Sequence, residues 1–140
     1  MKGLPTLIKL NQRELDVRRR RLSFLENRLD TLLASRAALE ARLIVEQQVA
    51  TGSEEVIYAY GSYASRYLTE KETLTKQIAK AEEEVAKARD AVAEAYGEVK
   101  KYELAQAARD RREQAELERA ERIELDDLGL EIHRRRDDGG

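Results

Sequence analysis

The chain has 140 residues, 39% of them charged, where an ordinary globular domain has about 25%. With one Pro, no Trp, 5% aromatics and a mean hydropathy of -0.70, it lacks the apolar bulk of a multilayered core, and an elongated all-α architecture fits instead. The 26 basic and 28 acidic residues nearly cancel, which removes any global drive toward nucleic acid, and the absence of cysteine excludes disulfides, thiolate nucleophiles and Cys-based metal sites.

The opening Met1-Lys-Gly-Leu-Pro-Thr-Leu-Ile-Lys-Leu meets Lys9 and then polar Asn11-Gln12-Arg13 before a signal-type apolar stretch can form. No later run approaches the roughly 20 apolar residues of a membrane span, so the sequence reads as soluble, unexported and not membrane-inserted.

From Leu4 the apolar residues recur at alternating three- and four-residue steps, the coiled-coil period. The first seam is Leu4, Ile8, Asn11, Leu15, Arg18, Leu22, Leu25, Leu29, Leu32, Arg36, Leu39, Leu43, Glu46 and Ala50. It predicts a helix over about 5–50. Thr51-Gly52-Ser53-Glu54 then interrupts the pattern: Gly52 suits a helix stop, and Thr51 with Glu54 has capping-box spacing. A turn at about 51–53 between two long amphipathic helices makes an antiparallel hairpin.

The second seam, Ile57, Tyr60, Ala64, Tyr67, Lys71, Leu74, Ile78, Ala81, Val85, Ala88, Val92, Ala95, Val99 and Tyr102, predicts a second helix over about 54–134. Mirroring the seams layer by layer pairs Leu4 with Val99, Leu22 with Ala81, Leu29 with Leu74 and Leu43 with Tyr60. That register lays Arg18-Arg19-Arg20-Arg21 beside Glu82-Glu83-Glu84 and sets Arg36 on Tyr67 as a cation-π contact. It leaves 103–136 as an overhang with no partner inside the chain. The fold expected is therefore an all-α, two-helix antiparallel coiled-coil hairpin in one domain, its longer second helix overhanging, with a frayed tail at 137–140.

Along the overhang, Arg109 with Glu113, Arg112 with Glu116, and Glu118 with Arg122 have the spacing of intrahelical ion pairs, each worth about 0.2–0.5 kcal/mol. Leu117, Ile123, Leu125, Leu128, Leu130 and Ile132 lie on the same stretch. Five aliphatics in ten residues on a helix without an intramolecular partner imply burial in another protein or in a second copy. Four tyrosines, Tyr58, Tyr60, Tyr63 and Tyr67, crowd near the turn, either filling wide core layers or forming a docking patch, since Tyr is enriched in interface hot spots.

Catalysis has little support. The single His133 sits in a charged tail without a second ligand at metal spacing, no phosphate-cradling Gly-rich loop exists, and the carboxylates fall on solvated helix faces. No cofactor and no metal site are expected. The run Arg18 to Arg21 lacks aromatic interleaving and faces an acidic run, which argues for structural pairing over phosphate binding. The terminal Arg134-Arg135-Arg136 suits a helix C-terminus.

The opening segment, Leu15-Asp-Val-Arg-Arg-Arg-Arg-Leu22, Val99-Lys-Lys-Tyr-Glu-Leu-Ala-Gln106, the Arg/Glu-rich helix after it and the terminal His133-Arg-Arg-Arg136 together resemble the FliJ family of flagellar type III export proteins. That resemblance implies a non-enzymatic component of the export apparatus, similar to the central stalk of rotary ATPases. Such a protein enters the pore of the hexameric export ATPase, promotes its assembly and activity, contacts the cytoplasmic part of the export gate and cycles export chaperones. It also implies a cytoplasmic location beside the inner-membrane gate at the flagellar base.

On this chain the ATPase contact would fall on Arg109, Arg112, Arg119 and Arg122 as electrostatic handles, with Ile123, Leu128 and Ile132 as apolar anchors. The gate contact would fall on Tyr60, Tyr63 and Tyr67, although Glu70 and Lys71 stand where the family pattern is small or apolar. Stalk proteins of virulence secretion systems look alike. Two readings of other kinds stand beside it: a structural homodimer paired through the overhangs, and a hairpin entering a polymerase channel with Glu54 and Glu55 at its tip.

Overall fold

The computed structural model describes residues 3–50 and 54–139. Two helices account for nearly all of them: α1, Leu4–Val49, and α2, Glu54–Asp138. They form an all-α, two-helix antiparallel hairpin. The expected turn at 51–53, with the Gly52 stop and the Thr51 cap, lies outside the described residues, as does Gly140.

Local chemistry accounts for the helix ends. Pro5 sits in the first turn of α1, where a missing N–H costs nothing, and the Gly3 carbonyl accepts the first helical bond from Leu7 N–H at 2.9 Å. Glu54 and Glu55 open α2 at the positive end of its dipole, and Arg135 and Arg136 close it at the negative end. α2 continues past residue 134 through Asp137 and Asp138, because Arg135 donates to Glu131 at 2.8 Å and Gly139 N–H donates to the Arg135 carbonyl at 2.9 Å.

The chain divides into two compact units, Gln12–Tyr96 and Met1–Asn11 with Gly97–Gly140. In the first, Leu15, Leu25, Tyr67, Ile78, Ala81, Val85, Ala88 and Ala95 are buried. Leu25, Val85 and Ala88 form a cluster against which Leu22 and Leu29 pack. Each fully buried aliphatic of this kind contributes about 1.5–3 kcal/mol.

In α1 the inward positions are those of the expected seam, including Asn11, Arg18, Arg36 and Glu46, all half-buried. In α2 two expected positions turn outward. Lys71 is exposed, and Ile57 is 58% exposed while Val56 takes the inward place.

The pairing of the two seams differs from the expected one by about half a heptad. Leu25 clusters with Val85 and Ala88, where mirrored seams would set it opposite Ile78, and Leu39 lines a cavity with Tyr67 rather than pairing with Ala64. The half-buried Arg18 explains the difference. Opposite Val85 it would give up the backbone carbonyl that it reaches across the hairpin. As found, its Nη1 donates to the Ala91 carbonyl at 2.8 Å and lies 3.6 Å from Glu94, while Nε donates to Glu14 at 2.9 Å. The acidic partner across the hairpin is thus Glu94 and not the run Glu82 to Glu84. The cation over the Tyr67 ring is Lys71 of its own helix, at 5.7 Å, in place of Arg36.

In the second unit Leu4, Ile8 and Asn11 are half-buried and Val99 is buried. Partial burial continues along α2 through Tyr102 as far as Arg109. From Asp110 onward every described residue is exposed.

Candidate partner-binding surfaces

Of the three tyrosines expected at a docking surface, Tyr67 is only 7% exposed and belongs to the core. Tyr60 and Tyr63 are half-buried. Tyr63 packs under the Arg42 guanidinium, 5.7 Å from the ring centroid, and its hydroxyl is buried without a hydrogen-bond partner among the described residues. Leu39, Arg42, Tyr63, Arg66, Tyr67 and Glu70 enclose a cavity of about 80 Å³. Tyr67 therefore fills a core layer, while Tyr60 and Tyr63 are partly covered and keep some exposed surface.

The apolar surface that α1 and α2 do present near their connection comes from other residues. Ile44, Val45 and Val49 on α1, with Ile57 and Tyr58 on α2, are all more than half exposed, Tyr58 most of all at 82%. Beside them a groove of about 300 Å³ runs between Val49, Ala50, Val56, Ala59 and Tyr60. The exposed residues do not share one face, Ile44 standing about 100° from Val45 and Tyr58 about 160° from the inward Tyr60; the signal for their exposure is Leu43-Ile44-Val45, three consecutive apolar residues of which a coiled-coil seam can bury only one.

A second groove, of about 430 Å³, lies between Val17 and Leu25 of α1 and Ala88 and Ala91 of α2. Arg18, Arg21, Glu84 and Lys87 line its edges. Arg21 and Glu84 share this groove without forming an ion pair among the described residues. The basic run is thus only partly tied down, through Arg18.

The remaining expected residues stand on the exposed length of α2. Arg109 is half-buried and pairs with Glu113 at 3.2 Å. Neither Arg112 with Glu116 nor Glu118 with Arg122 forms an ion pair among the described residues; Glu118 instead accepts from Gln114 at 3.3 Å. Ile123, Leu128 and Ile132 are each about half exposed, and Leu117, Leu125 and Leu130 are more so.

At 100° per residue these side chains do not share one face. Arg112, Arg119, Ile123 and Leu130 fall on one side of the helix, and Leu117, Leu125, Leu128 and Ile132 on the opposite side. The anchor residues named from sequence are thereby split, Ile123 from Leu128 and Ile132.

The model of a protein family described as the flagellar FliJ protein matches residues 1–138, almost the entire chain. The chain belongs to the FliJ family. It is accordingly a flagellar export-related protein. Comparison with curated proteins and with solved structures returns no match. No helix of this FliJ-family chain, among the described residues, is long and apolar enough to cross a membrane.

Proposed function

We propose that this chain is a non-catalytic, stalk-like component of the flagellar export apparatus, acting in the cytoplasm at the export gate. The exposed length of α2 enters the central hole of the hexameric export ATPase and promotes ring assembly and hydrolysis. The exposed apolar residues near the connection, Ile44, Val45, Val49, Ile57 and Tyr58, together with Tyr60 and Tyr63, meet the cytoplasmic domain of the gate and export chaperones. Tyr67 supports that surface from within.

One observation carries the ATPase part of this reading. From Asp110 to Asp138 the helix is exposed on all sides, and its aliphatic residues stand on two opposite faces, one of them shared with Arg112 and Arg119. A homodimer seam needs a single continuous apolar stripe. Apolar contacts on opposite sides suit a partner that surrounds the helix.

The test is ATP hydrolysis and ring assembly by the cognate export ATPase, with the full chain and with a chain ending at Arg109. Stimulation by the full chain that is lost on truncation supports the stalk. If neither chain alters the ATPase, and sedimentation shows a dimer that truncation abolishes, the structural homodimer takes its place.

A further inference from the structure

Coiled-coil seams of this kind pair with nearly equal apolar content in more than one register, because Leu faces Ala, Val or Ile in each. Polar residues placed on the seam then decide which register wins. Here the polar residues disagree.

Arg18 favours the register described. Its guanidinium reaches the Ala91 carbonyl at 2.8 Å and Glu94 at 3.6 Å, and a half-heptad displacement would break both contacts. Further along the same unit the balance reverses. Leu39 and Tyr67 line one cavity, and carrying that register one seam position further sets Arg36 toward Lys71, two like charges. Arg36 is half-buried and has no hydrogen bond or ion pair among the described residues, while Lys71 is turned out onto the Tyr67 ring of its own helix. Half a heptad back, Arg36 would lie on Tyr67, and Lys71 would lie opposite Leu32, apart from Arg36.

We propose that the Gln12–Tyr96 hairpin is a two-state register switch: α1 and α2 pair either as described, held by Arg18, or displaced by half a heptad, held by Arg36 on Tyr67. The displacement slides one helix along the other by about 5 Å, at 1.5 Å per residue. A ligand that grips the hairpin near Ile57 and Tyr58 can bias the two states to the extent that it binds them unequally. The inference stands apart from the stalk reading, since it concerns pairing within the chain and needs no ATPase.

The chain has no cysteine, so introduced pairs report register without background. Leu22→Cys with Val85→Cys crosslinks the described register, Leu22→Cys with Ala81→Cys the displaced one, and Leu22→Cys with Ile78→Cys neither. The expected result is crosslinking of the first two pairs well above the third. Adding Arg18→Leu should raise the displaced share about tenfold, the effect of losing one hydrogen bond to a charged group. Adding Arg36→Leu with Lys71→Leu should abolish it.

Because core cysteines can disturb folding, spin labels at the exposed Glu40→Cys and Lys80→Cys supply a second measurement in the full chain. Two distance populations about 5 Å apart, shifting in opposite directions with the two sets of variants, support the switch. A single distance unchanged by Arg18→Leu, or an Ala81 pair no faster than the Ile78 pair, overturns it.

Discussion

The Arg42 guanidinium lies 5.7 Å from the centroid of the Tyr63 ring, whose hydroxyl is buried with no hydrogen-bond partner among the described residues. The ring and the hydroxyl therefore act in opposite senses. A cation over an aromatic face at an exposed site contributes about 0.5–1 kcal/mol, whereas a buried unpaired hydroxyl costs about 1–3 kcal/mol. Tyr63→Phe should leave stability unchanged or raise it by up to about 1 kcal/mol, and Arg42→Ala should lower it by about 0.5–1 kcal/mol. Urea denaturation followed by circular dichroism measures both. A loss of stability in Tyr63→Phe would show that the hydroxyl has a partner.

Core and surface substitutions near each other in sequence should separate cleanly. Leu25 is 4% exposed within the cluster of Val85 and Ala88, so Leu25→Ala should cost about 2–5 kcal/mol. Tyr58→Ala and Val45→Ala, at exposed positions, should stay within about 0.5 kcal/mol of the parent. Both exposed variants should nonetheless weaken binding to the export gate's cytoplasmic domain, read by titration calorimetry. Unchanged binding would move the contact away from these residues.

The two apolar faces of the exposed helix make a prediction of their own. Leu128→Asp with Ile132→Asp alters one side, and Ile123→Asp with Leu130→Asp the other. A surrounding ring should lose stimulation with either pair, whereas a one-sided partner would lose it with one pair alone. Neither pair should change the urea midpoint of the hairpin, since all four residues are exposed.

Helix without tertiary packing is marginal, sustained here by pairs such as Arg109 with Glu113 at 3.2 Å and Arg135 with Glu131 at 2.8 Å. Amides from 110 to 138 should exchange hydrogen well before those of Leu22, Leu25 and Val85. Raising the salt to about 1 M, where screening acts within about 3 Å, should speed exchange in that stretch and leave the core amides unaffected. Equal protection in both regions would mean that the exposed helix has a packing partner, such as a second copy.

The α1 seam was legible in the sequence alone, every one of its positions being buried or half-buried. A period of 3.5 leaves no other stripe, and even Asn11, Arg18, Arg36 and Glu46 follow it. Two long helices separated near residue 51 were legible too, because a period and its interruption are properties of one strand of sequence read alone, whereas the end of burial was not: it runs past Tyr102 to Arg109. Family membership was legible for the same reason, in local motifs spread over the whole chain.

Pairing between the seams was not legible in this way. Leucines facing alanines and valines fit almost equally well after a half-heptad slide, so periodicity names the face and leaves the partner open. What fixes it is one guanidinium, since Arg18 reaches the Ala91 carbonyl across the hairpin in the register described and would lose that bond in the other. The same packing sent Tyr67 into the core and left Ile44, Val45 and Tyr58 outside. Which aromatic residue remains available to a partner depends on what lies across the layer, and that is set where two distant segments meet.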